Sequence, residues 1–137
     1  MSNEELLKYS QNTKAIATFL LKQLDIINIL SKYGNPLIIG SYELNLMFDK
    51  DIDIVVESNN PKNSATIILE KLIKKEVAQK YQFGDFVKFP RKNRPEGYII
   101  NLFIVHENLN WEIEIWFFCD IKNYIEQLEK YKKLVSR

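Results

Sequence analysis

The chain has 137 residues, 46% hydrophobic and 27% charged, a balance typical of one globular domain and not of a disordered chain. A chain this long buries roughly two-thirds of its unfolded surface. The formal net charge of +1 supplies no global field for nucleic acid or an anionic membrane, and the single cysteine, Cys119, excludes an intrachain disulfide.

Residues 3 to about 32 read as helix, with Ser2 as the cap and Glu4 and Glu5 at the favourable end of the dipole. Ile16, Phe19, Leu20, Leu24, Ile27 and Leu30 form its apolar stripe. Ser10-Gln11-Asn12-Thr13 marks a candidate break into two helices, and Gly34 and Pro36 end the segment. Leu37-Ile38-Ile39 reads as a strand delivering Gly40, followed by a short helix over 41–47. Ile52–Val56 reads as a second strand. Asn60 and Pro61 suit a helix cap and first position, with an apolar face from Ala65 to about Val77.

Tyr81–Phe89 alternates like a strand, with Gly84-Asp85 as a bulge or turn inside it. After a polar loop over 91–97, Tyr98–His106 and Trp111–Phe118 are expected to form a hairpin joined by residues 107–110. Cys119, just past an apolar run, reads as a buried thiol, and Asp120 as the cap of a last helix with Ile121, Tyr124, Ile125, Leu128 and Tyr131 on one face. The expected fold is α+β (mixed α/β): one domain over 1–137, with a small twisted mixed sheet of about five strands and helices mainly on one face. The acidic, polar start is unlike a signal peptide, and the apolar runs fall short of the about 20 residues needed to span a bilayer. A cytoplasmic protein with no membrane partner is the expectation.

Two short segments carry the chemistry. Gly40-Ser41 leaves a strand for a helix start, where a phosphate can approach a backbone without Cβ and meet unpaired N–H groups. Nine residues later, Asp51 and Asp53 alternate on a strand, so both project to one face while Ile52 and Ile54 project to the other. Adjacent carboxylates repel and favour a cation, and hard magnesium commonly joins carboxylates to substrate phosphates.

The pattern Ile39-Gly40-Ser41, nine residues, then Asp51-Ile52-Asp53-Ile54 resembles the motif of the nucleotidyltransferase superfamily that includes DNA polymerase beta. In look it is most similar to small prokaryotic enzymes that modify antibiotics, lincosamides in particular. The motif covers 15 residues and the order of elements extends the likeness over roughly 15–118. The resemblance implies a nucleotidyltransferase-like fold and transfer of a nucleoside monophosphate, AMP from ATP, to a hydroxyl of a small-molecule acceptor. It implies two Mg2+ ions, about 3.5–4 Å apart, on Asp51 and Asp53. It also implies Gly40 and Ser41 on the nucleotide phosphates and a third carboxylate on a later strand. Glu114, deep in the run Trp111–Phe118, is the first candidate for that metal ligand and proton acceptor, and Glu112 the second.

Arg91 and Arg94, within the basic run Lys88–Arg94, are candidates to clamp phosphates or draw in a polyanionic acceptor, although a solvated loop explains the run better. Trp111, Trp116, Tyr98 and Phe103 fit core packing better than base stacking, and His106 has no assigned role. Tyr42-Glu43-Leu44-Asn45 lacks the arginine that small antitoxin-type members carry soon after Gly-Ser. Only about one helix follows Phe118, so a second copy of the chain, as a homodimer, is a candidate to complete the acceptor pocket. Two other readings stay open: a nucleotide- or partner-binding module that has lost transfer, and a toxin-system component acting on RNA or protein.

Overall fold

The computed structural model describes residues 2–40, 50–122 and 126. Helix α1 (Asn3–Gln23) and helix α2 (Ile26–Ser31) precede strands β1 (Asn35–Ile39) and β2 (Asp51–Glu57). Helix α3 (Pro61–Lys74) leads to strands β3 (Lys80–Asp85), β4 (Tyr98–His106) and β5 (Leu109–Phe118). The five strands form one mixed sheet in the order β1-β2-β5-β4-β3. Only the central β2–β5 pair is parallel. The expected helix over 41–47, Ser41 itself and the body of the expected last helix lie outside the described residues.

Alternation sorts the strands into two faces. Ile52, Ile54, Val56, Ile100, Leu102, Ile104, Trp111, Ile113, Ile115 and Phe117 share one core with buried residues of all three helices. The opposite face carries only a small cluster, Val55, Ile99, Trp116 and Phe118, flanked by Ile39, Phe86 and Ile121. Among the described residues the helices thus cover one face, and the other face carries the polar side chains beside that small cluster.

Several boundaries differ from expectation for identifiable reasons. No break occurs at Ser10–Thr13: Ser10 and Thr13 are both buried within the helix, and Thr13 Oγ1 donates to the Tyr9 carbonyl at 2.8 Å. The break falls instead at Asp25, which adopts a left-handed φ of 54° between α1 and α2. Of the expected stripe, Leu20 and Leu30 are buried and Ile16, Leu24 and Ile27 pack against the core, whereas Phe19 is 51% exposed and Ala17 and Leu21 are buried beside them. Pro36 lies inside β1, which its position on a sheet edge permits. Gly84-Asp85 ends β3 and is not a bulge within it: Asp85 Oδ1 accepts from the Val87 and Lys88 amides and turns the chain. The β4–β5 connection shrinks to Glu107-Asn108, both at positive φ, as a tight two-residue hairpin requires. Cys119 is exposed, because β5 leaves the sheet immediately before it.

A buried hydroxyl relay ties the turn before β1 to the turn after β2. The Asn60 amide donates to Ser58 Oγ at 3.2 Å, and Ser58 and Ser64 Oγ lie 2.6 Å apart. Ser64 in turn donates to the Tyr33 carbonyl at 2.9 Å. Ser64→Ala removes the middle of this chain and strands the buried Ser58 hydroxyl and the half-buried Tyr33 carbonyl. The expected loss is about 1–3 kcal/mol of unfolding free energy in urea denaturation, with Thr66→Ala on the exposed side of α3 as the control.

Candidate active site

The register of the central strands sets the site. Asp51 pairs across β2–β5 with Glu112, and Asp53 with Glu114. Neighbouring strands are about 4.8 Å apart, and residues directly across from one another share a face. The described chain therefore carries two facing acid pairs on its open sheet surface. The same transect continues from Glu114 to Asn101 on β4 and from Asn101 to Gln82 on β3. Beside it on the same face runs the apolar row Val55, Trp116, Ile99 and Gly84.

Gly40 meets this row from the other side. Ile39 pairs with Asp53, so the chain leaves β1 beside the acid pairs, and it does so at φ 77°. That conformation costs glycine little and most other residues considerably more. The structure thus brings together Gly40, Asp51, Asp53 and both candidate glutamates, whereas Ser41 lies outside the described residues.

Facing carboxylates are destabilising unless their charge is moderated. Burial, first, and then the charge of Asp53 push the Glu114 carboxyl above the ordinary glutamate range. The Trp116 indole donates to Glu114 Oε1 and, with the charge of Arg94, pulls in the opposite direction. Glu112 Oε1 accepts from Asn101 Nδ2 at 2.8 Å. These partners orient the two glutamates differently, Glu114 along its own strand toward Trp116 and Glu112 toward β4. Among the described residues, no three His, Cys, Asp or Glu side chains converge into a ready-made metal site. The donors are nevertheless all carboxylate oxygens, the type that hard divalent cations take.

Arg91 and Arg94 lie on the connection between β3 and β4. They line a cleft of about 540 Å3 together with Gln82, Phe86, Asn101 and the two glutamates. The loop is closed at its base by the Phe86 amide donating to the Gly97 carbonyl at 2.9 Å. Gly97 lies against the Phe118 ring so closely that a Cβ there would collide with it. The Arg91 guanidinium lies 5.2 Å from the Phe86 ring centroid, and Phe86 in turn packs on Trp116 at 5.7 Å. The arginines thus belong to the β5–β4–β3 side of the acids, while Gly40 belongs to the β1–β2 side.

Sequence reasoning missed Asn101, Gln82 and Phe86. Asn101 alone interrupts the apolar run Tyr98–Val105, and that interruption is the one signal that marks it. Trp111 and Trp116 are buried in the core and in the small open-face cluster respectively, in line with packing roles. His106 makes only a peripheral ring contact with Phe19 and a distant approach to Glu107. Among the described residues no helix is long and apolar enough to cross a membrane.

No family model, curated protein or solved structure matches this chain.

The raised pKa of Glu114 fixes the sign of a pH effect. A carboxyl with a higher pKa folded than unfolded contributes stability at low pH, and that contribution is lost as pH rises through the folded value. Glu114→Gln keeps an oxygen for the Trp116 indole and removes the charge. In chelator, the variant is expected to be more stable than the parent at neutral pH. The gain should close as pH falls below the ordinary glutamate range, read by thermal denaturation across pH.

Proposed function

We propose that the chain is a magnesium-dependent nucleotidyltransferase moving a nucleoside monophosphate, AMP from ATP, onto a hydroxyl of a small-molecule acceptor. The observation that carries this reading is the pairing of Asp53 with Glu114 beside a glycine turn at Gly40. A sheet without such chemistry has little use for two facing acid pairs on one surface. The nucleotidyltransferase-like fold and the superfamily resemblance belong to this proposal, supported by the motif and by the strand register.

In this reading Asp51, Asp53 and Glu114 hold Mg2+. A bound divalent cation supplies charge neutralisation at the phosphates and lowers the electrostatic cost of nucleophilic attack. The backbone at Gly40, with Ser41 beside it, receives the outer phosphates of the donor. The acceptor hydroxyl oxygen forms the new bond to the α-phosphorus as the bond to pyrophosphate breaks, and Glu114 takes the hydroxyl proton. Asn101 keeps Glu112 turned toward β4, which leaves Glu114 as the third carboxylate of the site.

The second reading, a nucleotide- or partner-binding module without transfer, draws on the bond from Trp116 to Glu114, which occupies the third carboxylate. Asp53→Asn separates the two readings from a purely structural role. It is expected to abolish manganese binding and nucleotidyl transfer while leaving the melting temperature almost unchanged, because removal of repulsion toward Glu114 offsets other losses. Calorimetry with manganese and a non-hydrolysable ATP analogue reads the first effect, and thermal denaturation the second. Unchanged metal and nucleotide binding in a strongly destabilised variant would make the aspartates structural.

A further inference from the structure

The polar transect Asp53–Glu114–Asn101–Gln82 crosses four strands, and its two ends differ in kind. At the β1–β2 end stands the Gly40 turn. At the β4–β3 end stands a cleft lined by Arg91 and Arg94 from the β3–β4 connection, with Gln82 and Asn101, while Glu112 and Glu114 line it toward β5. From β1 to β3 the sheet spans four strand spacings, about 19 Å, more than a triphosphate needs to reach from Gly40 to the acids. The arginines therefore sit on the side of Glu114 away from the glycine turn.

We infer that the Arg91–Arg94 cleft over β4 and β3 is the acceptor site, and that it takes a small hydroxyl compound bearing an oxyanion, a phosphate or a carboxylate. The inference rests on the proposed function for the word acceptor, but not for the anion site itself. Gln82 and Asn101 are neutral amides suited to sugar-like hydroxyls, and Asn101 lies directly across from Glu114. Gln82 lies two strand spacings from Glu114, about 10 Å, so a hydroxyl at Glu114 and an anion at the loop belong to one molecule of monosaccharide-phosphate size.

The arginine geometry suits an oxyanion. The Arg91 guanidinium lies within cation–π range of the Phe86 ring, 5.2 Å from its centroid, and a guanidinium fork suits paired N–H donation to an oxyanion. Phe86 is itself wedged against Trp116, and the loop is pinned by the Phe86–Gly97 hydrogen bond, so the stack has a fixed base. A cleft of about 540 Å3 accommodates a small molecule.

The test uses the full chain and two probes, inorganic phosphate and acetate, followed by the backbone amide resonances of residues 86–97. Phosphate or acetate is expected to shift these amides, and Arg91→Ala and Arg94→Gln are each expected to weaken that binding about tenfold. Charge-retaining Arg94→Lys restores part of it. Stronger binding of phosphate than of acetate assigns a phosphorylated acceptor, and the reverse order a carboxylic acid. The manganese–ATP analogue should bind the Arg91→Ala variant as it binds the parent.

Anion binding that ignores both arginine substitutions overturns the inference. So does a parallel loss of ATP-analogue binding in Arg91→Ala, which would assign the arginines to the donor triphosphate. Failure of the parent chain to bind manganese–ATP, with Arg91-dependent phosphate binding intact, removes the proposed transfer and leaves the oxyanion site standing.

Discussion

The parallel pairing of β2 with β5 is the constraint on which the rest of the open face depends. It sets Asp51 against Glu112 and Asp53 against Glu114 in one register, and a slip by a single residue would place isoleucines on the open face and acids in the helical core. The core secures that register. Ile52, Ile54 and Val56 on β2 and Ile113, Ile115 and Phe117 on β5 are all buried under the helices. Apolar burial on one face thus enforces electrostatic repulsion on the other. The repulsion is spread over specific partners, the Trp116 indole, the Asn101 amide and the Arg94 charge.

Much of this was legible from alternation. Asp51-Ile52-Asp53-Ile54 and Glu112-Ile113-Glu114-Ile115 each declare which residues share a face. What alternation does not reveal is which strands are neighbours. The hairpin pattern already sets β4 beside β5, and with it Asn101 beside Glu114, but no local pattern encodes that β2 lies on the other side of β5. The helix break was misplaced for a related reason. Polar Ser10–Thr13 looks like an interruption, yet Ser10 and Thr13 are buried and Thr13 bonds back within the helix. The actual break at Asp25 depends on one residue adopting a left-handed conformation between two apolar stretches. Cys119 was misjudged because the hydrophobic run predicts the strand but not the residue at which the chain departs from it.

The open face also shows how a thin apolar layer organises a polar site. Trp116 packs between Phe86 and Phe118 while its nitrogen reaches Glu114, so one ring joins the small cluster to the acid row. Phe86 carries that order outward to Arg91. The connection between β3 and β4 is therefore held at its base by packing and a backbone hydrogen bond, although its tip is exposed. Positioning of charged groups by stacked rings costs less conformational entropy at binding than recruiting them from a loop without such support.

The two sides of the acid row are unlike in a way that bears on the direction of a reaction. On the β1 side the chain turns at Gly40, at φ 77°, and under the proposed function its backbone receives an anion there. On the β4–β3 side it offers amide and guanidinium side chains, which discriminate by shape and by the number of oxygens presented. Backbone recognition fits a donor whose reacting part is a common triphosphate, and side-chain recognition fits an acceptor that must be chosen among similar molecules. Under the proposed function Glu114 lies where the two meet, on the only strand that pairs with both β2 and β4.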